Sequence, residues 1–247
     1  MKSLNALVED VWRDTAARQN PYFVGLEREM TREDFIETQI QFFYAVVFFS
    51  RPMAALAAKI PSPELRLEVL RNVWEEHGEG QLSHGHGQTF IEFLRRLQGG
   101  TREEVLMQVQ RHALWPEVRI FNTTLSGVTV LDDFIIGVAV MGMIERMFSE
   151  ISSWIGQGVL ARGWLSEDQM IHYKLHANLD VKHAQDFFRV VADSYAKSDE
   201  NRYLIEQGLR MGATLFDGLY AGLWKSRSRR WRLPQAFPSS MTASYVP

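Results

Sequence analysis

Two imidazoles and one carboxylate lie on one face of a predicted helix in the last third of the chain. His176, Asp180 and His183 are spaced i, i+4 and i+7 in a stretch that contains no helix breaker. At about 100° per residue, the three side chains lie within roughly 60° of one another. Tyr173 and Phe187 extend the same stripe with aromatic side chains. The pattern predicts a helix whose His–Asp–His face points into the core.

A carboxylate buried between two imidazoles needs a compensating positive charge, because burying an unpaired charge is costly. A metal ion supplies that charge, and iron, manganese and zinc all accept nitrogen and oxygen ligands. The alternative is structural, since a histidine on an apolar face often donates a hydrogen bond to a main-chain carbonyl. The occurrence of His176, Asp180 and His183 on one stripe favours the metal site.

Glu145 is a second carboxylate on a predicted apolar face. It lies inside a helix that we expect over about residues 132–156, with Phe148 nearby on the same stripe. Arg146 points elsewhere and can pair with Glu150 at i+4. A buried carboxylate without a cation beside it has a raised pKa. Glu145 is therefore a candidate metal ligand, and an ion pair with a distant arginine is the alternative.

A glycine-rich stretch, residues 75–87, concentrates possible ligands between two predicted helices. Each of its four glycines weakens a helix by up to about 1 kcal/mol. In the metal-free protein we expect residues 78–88 to lack helical hydrogen bonds and to hold their ligands too far apart to share a cation. The alternative is an exposed polar junction. Spacing does not choose among the candidates, which are Glu75, Glu76, Glu79, His77, His84 and His86.

Composition narrows the classes of site and of protein. The chain has 247 residues, 46% of them hydrophobic, a net charge of −3 and no cysteine. Disulfides, thiolate zinc sites, iron–sulfur clusters and a cysteine nucleophile are excluded, so any metal must use His, Asp and Glu. We expect neither nucleic-acid nor membrane binding, because no strong charge draws the chain there and the longest apolar run, residues 134–144, is too short to cross a bilayer. The first residues do not resemble a signal peptide, and we expect a cytoplasmic protein.

Helical periodicity and helix-start signals divide the chain into helices, and no stretch shows the alternation of a strand. We predict one all-α domain over residues 1–225, followed by a basic and then Pro- and Ser-containing tail, 226–247, that is solvated or contacts a partner. The pair Asn20-Pro21 is expected to end the first helix. The predicted helices cover about 3–18, 32–59, 63–77, 90–97, a short stretch after Thr101, 116–127, 132–156, a stretch after Ser166, and 199–224.

The second long helix is predicted to be central, because residues 42–49 are apolar on all sides. Arg51 is the only charge between Glu37 and Lys59. It could bind a substrate carboxylate, or it could pair with an acid at the rim. The predicted substrate-binding residues are Arg51, Phe43, Val47 and Tyr173.

Two segments carry a resemblance to a known family. These are Asn72-x-x-Glu75-Glu76-x-Gly78-x-Gly80 with His86, and Tyr173-x-x-His176-x-x-x-Asp180-x-x-His183-Ala184. Together with a lone mid-helix glutamate between them, they resemble the haem-oxygenase-like diiron oxidases and oxygenases. The resemblance covers about residues 32–195, and the occurrence of all three segments in order makes it specific.

The resemblance implies a single bundle of about seven or more helices that binds two Fe(II) ions per chain. It implies dioxygen-dependent oxidation of a small metabolite, by N-oxygenation, desaturation or C–C cleavage of an amino acid, amine or fatty acid. Glu75 or Glu79 in place of Glu76, and His84 in place of His86, stay open. The ligands that the resemblance implies are Glu76, His86, Glu145, His176, Asp180 and His183.

The chain also departs from parts of the family. Some N-oxygenating members have two further glutamates at positions that correspond here to Ser50 (or a neighbour) and Ser83, which weakens the case for N-oxygenation. Related thiaminase II proteins use a cysteine that this chain lacks. The alternatives are a non-catalytic metal- or small-molecule-binding helical protein, a single-zinc hydrolase, and a thiaminase-like or cofactor-biosynthesis relative without diiron chemistry. A monomer and a homodimer both stay open.

Overall fold

The chain folds into an all-α bundle in the computed structural model, which confirms the predicted fold class. The structure describes residues 2–233, except for the side chains of residue 171 and residues 175–179. Short 3-10 turns connect several of the helices. The described residues form ten α-helices: α1 (Leu4–Thr15), α2 (Pro21–Arg28), α3 (Arg32–Lys59), α4 (Pro63–Glu76), α5 (His86–Gln98), α6 (Arg102–Arg111), α7 (Pro116–Leu131), α8 (Phe134–Ala161), α9 (Ile171–Lys197) and α10 (Asp199–Ser226).

Several helices begin at capping residues that the sequence shows. Ser62 caps α4 with proline at the first helical position, and the side chain of Thr101 forms a capping box with Glu104 at the start of α6. The prediction missed α2. Asn20 does follow the end of α1, but its side chain also accepts a hydrogen bond from Tyr22 N and caps the next helix, with Pro21 at the first position. The Asn–Pro pair therefore separates two helices rather than ending one before a loop.

The centre of the bundle is α8, which packs most extensively against α9 and α10. Glycines permit this close approach. A Cβ on Gly142 would lie 2.9 Å from Cβ of Phe187 on α9. On α10, a Cβ on Gly212 would lie 2.6 Å from the carbonyl oxygen of Val140, which belongs to the backbone of α8. The middle of α8, where Glu145 lies, is thereby fixed between its two neighbours.

Gly212→Ala should lower the free energy of unfolding by about 1–3 kcal/mol, because the new methyl group meets backbone that cannot move aside cheaply. Gly218→Ala on the same helix is the control. That position is exposed, and a Cβ added there would have no other atom within 4 Å, so alanine should stabilise by up to about 1 kcal/mol. Urea unfolding of both variants measures the difference, and equal stabilisation by the two would contradict a tight α8–α10 crossing at Gly212.

The basic segment after α10 lies against the helices, whereas it was expected to be solvated or to contact a partner. Arg230 donates to the carboxylate of Asp34 at 2.6 Å, and Arg232 donates to the buried Glu37. The main chain joins as well, because Leu233 N donates to the carbonyl oxygen of Arg111 at 2.7 Å. These contacts end at the last described residue, and residues 234–247 of the predicted tail lie outside the described part.

Among the described residues, α3 is the one helix long and apolar enough to pass a length-and-composition test for a membrane span. More than half of the apolar window of α3 is buried inside the protein. The helix therefore packs as a core helix of the bundle, as predicted from the apolar run at 42–49.

Candidate metal centre

Three ligand-type side chains from three helices converge in the interior. Glu76 comes from the last turn of α4, Glu145 from the middle of α8 and His183 from α9. One ligand atom of each lies within 4.8 Å of the corresponding atoms of the other two. Glu145 and His183 are buried, and the side chain of Glu76 is only 7% exposed. The arrangement can hold one metal ion with two carboxylates and one imidazole.

Two further predicted ligands border this group. His86 is the first residue of α5, and its Nδ1 lies 2.8 Å from Oε2 of Glu76. Oδ1 of Asp180 lies 3.9 Å from Nδ1 of His183. Five of the six predicted ligands are thus together. The side chain of the sixth, His176, lies outside the described residues.

The glycine-rich stretch offered other glutamates and histidines, and geometry now separates them. Glu79 and His84 are exposed. Glu75 contacts the Nε2 edge of the His183 ring and Lys182, whereas Glu145 lies on the Nδ1 side of that ring. Of these alternatives, the geometry favours Glu76 and His86 as the ligands from this segment.

The stretch between α4 and α5 consists of two short 3-10 turns, so α-helical hydrogen bonds are missing there, as expected. The expected gap extended to residue 88, whereas α5 already begins at His86. Gly78 and Gly80 have φ of 68° and 86°, which glycine adopts without steric cost. The expectation that ligands of this segment lie apart is wrong. The two turns reverse the chain, so that the end of α4 and the start of α5 meet, and Glu76 lies next to His86.

The buried carboxylates of the centre favour a positive charge beside them. Burial raises the pKa of Glu145 well above its usual value, and the nearby charges of Asp180 and Glu76 raise it further. Burial also raises the pKa of Asp180 well above normal, although His183 and His86 act against it. Burial lowers the pKa of His86, but the neighbouring carboxylates of Glu76, Asp180 and Glu75 together outweigh burial, so that pKa is raised. A bound metal ion would replace these protons as the compensating charge.

Two buried polar atoms indicate whether the residues present fit a metal ion. Among the described residues, Oε1 of Glu145 and Nδ1 of His183 have no hydrogen-bond partner. Buried polar groups are normally satisfied, and each exception requires an explanation. Both atoms belong to the converging group, and mixed imidazole and carboxylate ligands suit iron. The residues present therefore fit an iron ion.

A narrow apolar cavity of about 40 Å³ adjoins the centre. Its apolar walls come from α3, α7, α8 and α10, and three metal-ligand candidates also line it. Five of the lining side chains are phenylalanines. The lining residues are Phe42, Ala45, Val46, Phe49, Phe121, Ile144, Phe148, Phe216, Glu76, His86 and Glu145.

The predicted substrate residues do not line this cavity. Phe43 and Val47 are one helix position away from the residues that do, and a Cβ on Gly87 of α5 would meet both. One position on a helix is a rotation of about 100°. Tyr173 is buried and donates its hydroxyl hydrogen bond to Gln39, while the exposed Arg51 lies over the ring of Phe48.

Sequence reasoning also missed the cavity walls supplied by α7 and α10. Phe121 and Phe216 line the cavity from helices that carry no ligand motif. Apolar residues at helical spacing predict only that a face is buried. Nothing in their spacing distinguishes a cavity wall from close-packed core.

Comparison with known proteins identifies the family of this chain. Residues 37–217 match the family described as iron-containing redox enzymes. The chain belongs to that family. The matched range includes all six predicted ligands. Comparison with curated proteins found no match.

Similarity to solved structures identifies the fold of this chain. A domain of unknown function with a haem-oxygenase-like fold from Shewanella denitrificans superposes with a TM-score of 0.72 at 14% identity, covering 92% of this chain and 94% of that one. A CADD-like protein of unknown function from Nostoc punctiforme has a TM-score of 0.69 at 14% identity, over 90% and 97%. A TenA homologue from Pseudomonas syringae has a TM-score of 0.68 at 15% identity, over 90% and 92%. The fold is haem-oxygenase-like, as the sequence resemblance implied.

Proposed function

We propose that this chain is a non-haem iron oxidase or oxygenase that uses two Fe(II) ions and dioxygen to oxidise a small apolar metabolite. The observation that carries the proposal is the buried Glu76–Glu145–His183 group beside an apolar cavity that Glu76 and Glu145 help to line. Membership of the iron-containing redox family supports the choice of iron.

The six candidate ligands would divide between two ions. Glu76, Glu145 and His183 would hold one ion, and His86, Asp180 and His176 would complete the second, with Glu145 shared. Ferrous iron supplies electrons to dioxygen, which is the chemistry that the protein side chains lack. The chain itself contributes charge compensation at the ligands and a phenylalanine-rich wall that excludes water from the reacting atoms.

The cavity lining limits the substrate class. Among the described residues that line it, the titratable ones are the ligand candidates Glu76, His86 and Glu145. An amino acid would leave either its ammonium or its carboxylate group without a partner, and such desolvation is costly. A fatty acid or an alkyl or aromatic amine has one polar group, which can lie at the metal while the apolar part contacts the phenylalanine-rich wall.

The alternatives make different predictions. A non-catalytic binding protein would bind metal and small molecule without consuming dioxygen. A thiaminase-like relative, as the fold similarity to TenA homologues suggests, would need a nucleophile other than the cysteine that this chain lacks. The convergence of Glu76, Glu145 and His183 in the interior, with the pKa of Glu145 raised by burial, favours the metal-dependent function over both.

Anaerobic loading with Fe(II), followed by a dioxygen-uptake screen of fatty acids, amines and amino acids, tests the proposal. We expect two irons per chain and faster uptake with one apolar substrate class than without substrate. Mass analysis then names the reaction, because desaturation removes hydrogen, N-oxygenation adds oxygen and cleavage shortens the carbon chain. Full iron binding with no substrate-dependent uptake would support the non-catalytic alternative.

A further inference from the structure

Glu75 and Glu76 are consecutive at the end of α4, yet their carboxylates contact different helices. Oε2 of Glu76 lies 2.8 Å from Nδ1 of His86. Glu75 turns toward α9, where Oε1 accepts from Nζ of Lys182 and Oε2 accepts from Nε2 of His183, both at 2.7 Å. Consecutive helix positions are about 100° apart, so one glutamate reaches the centre and the other reaches the helix beside it.

The two nitrogens of the His183 ring have unlike surroundings. Nε2 is hydrogen-bonded to Glu75. Nδ1 lies 3.9 Å from Oε2 of Glu145 and 3.9 Å from Oδ1 of Asp180, and it has no hydrogen-bond partner among the described residues. A neutral imidazole carries one N–H and one lone pair. With the N–H directed to Glu75, the lone pair of Nδ1 faces the two carboxylates.

We propose that Glu75 is a positioning residue: it holds His183 as the Nε2–H tautomer and aims its Nδ1 lone pair at the metal. The inference rests on the proposed function, because it assigns His183 as an iron ligand. Ligating histidines commonly donate their other ring N–H to a carboxylate, which fixes the ring and makes the ligand more basic. Lys182 in turn holds the carboxylate of Glu75 in place.

The same contacts argue against Glu75 as a ligand itself. Each of its carboxylate oxygens already accepts a hydrogen bond, one from Lys182 and one from His183. It also lies beyond the Nε2 edge of the ring, whereas Glu145 lies on the Nδ1 side. To bind an ion on the Nδ1 side, Glu75 would have to leave its hydrogen bond with Nε2 of His183.

Anaerobic Fe(II) titration of the full chain measures the effect on binding. Glu75→Ala should weaken Fe(II) affinity about 10- to 100-fold with the number of ions unchanged, as for other outer partners of metal ligands. Glu75→Gln keeps an acceptor for the ring N–H and should lose less. Glu76→Ala removes a ligand and should lower the number of ions bound. Glu79→Gln, at an exposed glutamate of the same segment, should leave binding unchanged.

A second measurement reads the tautomer directly and does not depend on iron or turnover. In metal-free protein labelled with 15N-histidine, the two ring nitrogens give distinct shifts, and a His183→Gln spectrum identifies the His183 signals among the seven histidines. The wild type should have protonated Nε2 and unprotonated Nδ1. Glu75→Ala should give a mixture of tautomers, and Glu75→Gln should keep the wild-type one. An ion pair that merely joins α4 to α9 would not change the tautomer.

The outcomes separate this inference from the proposed function. If the wild type binds Fe(II) and a folded Glu75→Ala variant binds it with the same affinity, the positioning role is overturned and the proposed function is not. Loss of a whole ion in that variant overturns the positioning role too, by making Glu75 a ligand. An Nδ1–H tautomer in the wild type has the same effect. A wild-type chain that binds no Fe(II) overturns the proposed function, and the inference with it.

Discussion

Glu145→Gln should abolish dioxygen-dependent turnover while leaving the metal-free protein at least as stable as the wild type at neutral pH. The substitution keeps the shape of the side chain and removes the charge that the buried site must otherwise compensate. Turnover should fall by more than the roughly 100-fold that outer partners of ligands contribute, because Glu145 would contact the ions directly.

The contribution of Glu145 to the stability of the metal-free protein depends on pH. The pKa of Glu145 is raised in the folded state, so its stabilising contribution is complete below the unfolded pKa of about 4.3 and is lost as the pH rises through the folded value. Glutamine does not titrate. The metal-free variant should therefore lose less stability than the wild type when the pH is raised from about 5 to 8, as measured by urea unfolding.

With Fe(II) bound, the wild type should become more stable than Glu145→Gln. Fe(II) at a hundred times its Kd should raise the free energy of unfolding of the wild type by about 2.7 kcal/mol, and the variant should gain much less. Glu150→Gln is the control, because Glu150 lies on the same helix and pairs with Arg146 outside the centre. If metal-free Glu145→Gln instead lost several kcal/mol, Glu145 would be a member of a structural ion pair rather than a ligand.

Ala45→Leu should abolish or strongly reduce turnover with iron binding unchanged. Ala45 is buried and lines the cavity, and the longer side chain would occupy the space that the substrate needs. We expect a tenfold or larger fall in kcat/KM, equivalent to about 1.4 kcal/mol. Because the new atoms enter an existing cavity, the cost to stability should stay at or below the about 1–3 kcal/mol of overpacking.

The matched control is Ala54→Leu, since Ala54 lies on the same helix but is exposed. Fe(II) titration should give the same number of ions and the same affinity for the wild type and for both variants. Wild-type kcat/KM in Ala45→Leu, with the substrate found in the screen, would mean that the reaction takes place outside this cavity.

The sequence was sufficient to predict the parts of the centre that depend on local spacing. The i, i+4, i+7 pattern of His176, Asp180 and His183 identified α9, and the absence of a local partner singled out Glu145. The choice of Glu76 and His86 came from the family resemblance, because spacing left the glycine-rich stretch ambiguous. Those two residues meet through a chain reversal of two 3-10 turns, which helical periodicity does not encode.

Two differences between expectation and structure show what local patterns cannot predict. The central helix was expected to present Phe43 and Val47 to the substrate, but Phe42, Ala45, Val46 and Phe49 line the cavity. A segment that is apolar on all sides has no polar face to fix its rotation about the helix axis, so the neighbouring helices decide which side faces the centre. The packing of the basic segment against Glu37 could not be predicted either, because its partners lie almost the whole chain away.

The ligands of the centre are far apart along the chain. A bound ion would therefore also connect distant parts of the chain. More than a hundred residues separate Glu76 from His183, with Glu145 between them. An ion that ties these positions is a cross-link, and loop-closure entropy grows with the logarithm of loop length. Chelation would therefore release three helices from one another at once. The loss should appear as faster hydrogen exchange across α4, α8 and α9 together, rather than around one ligand.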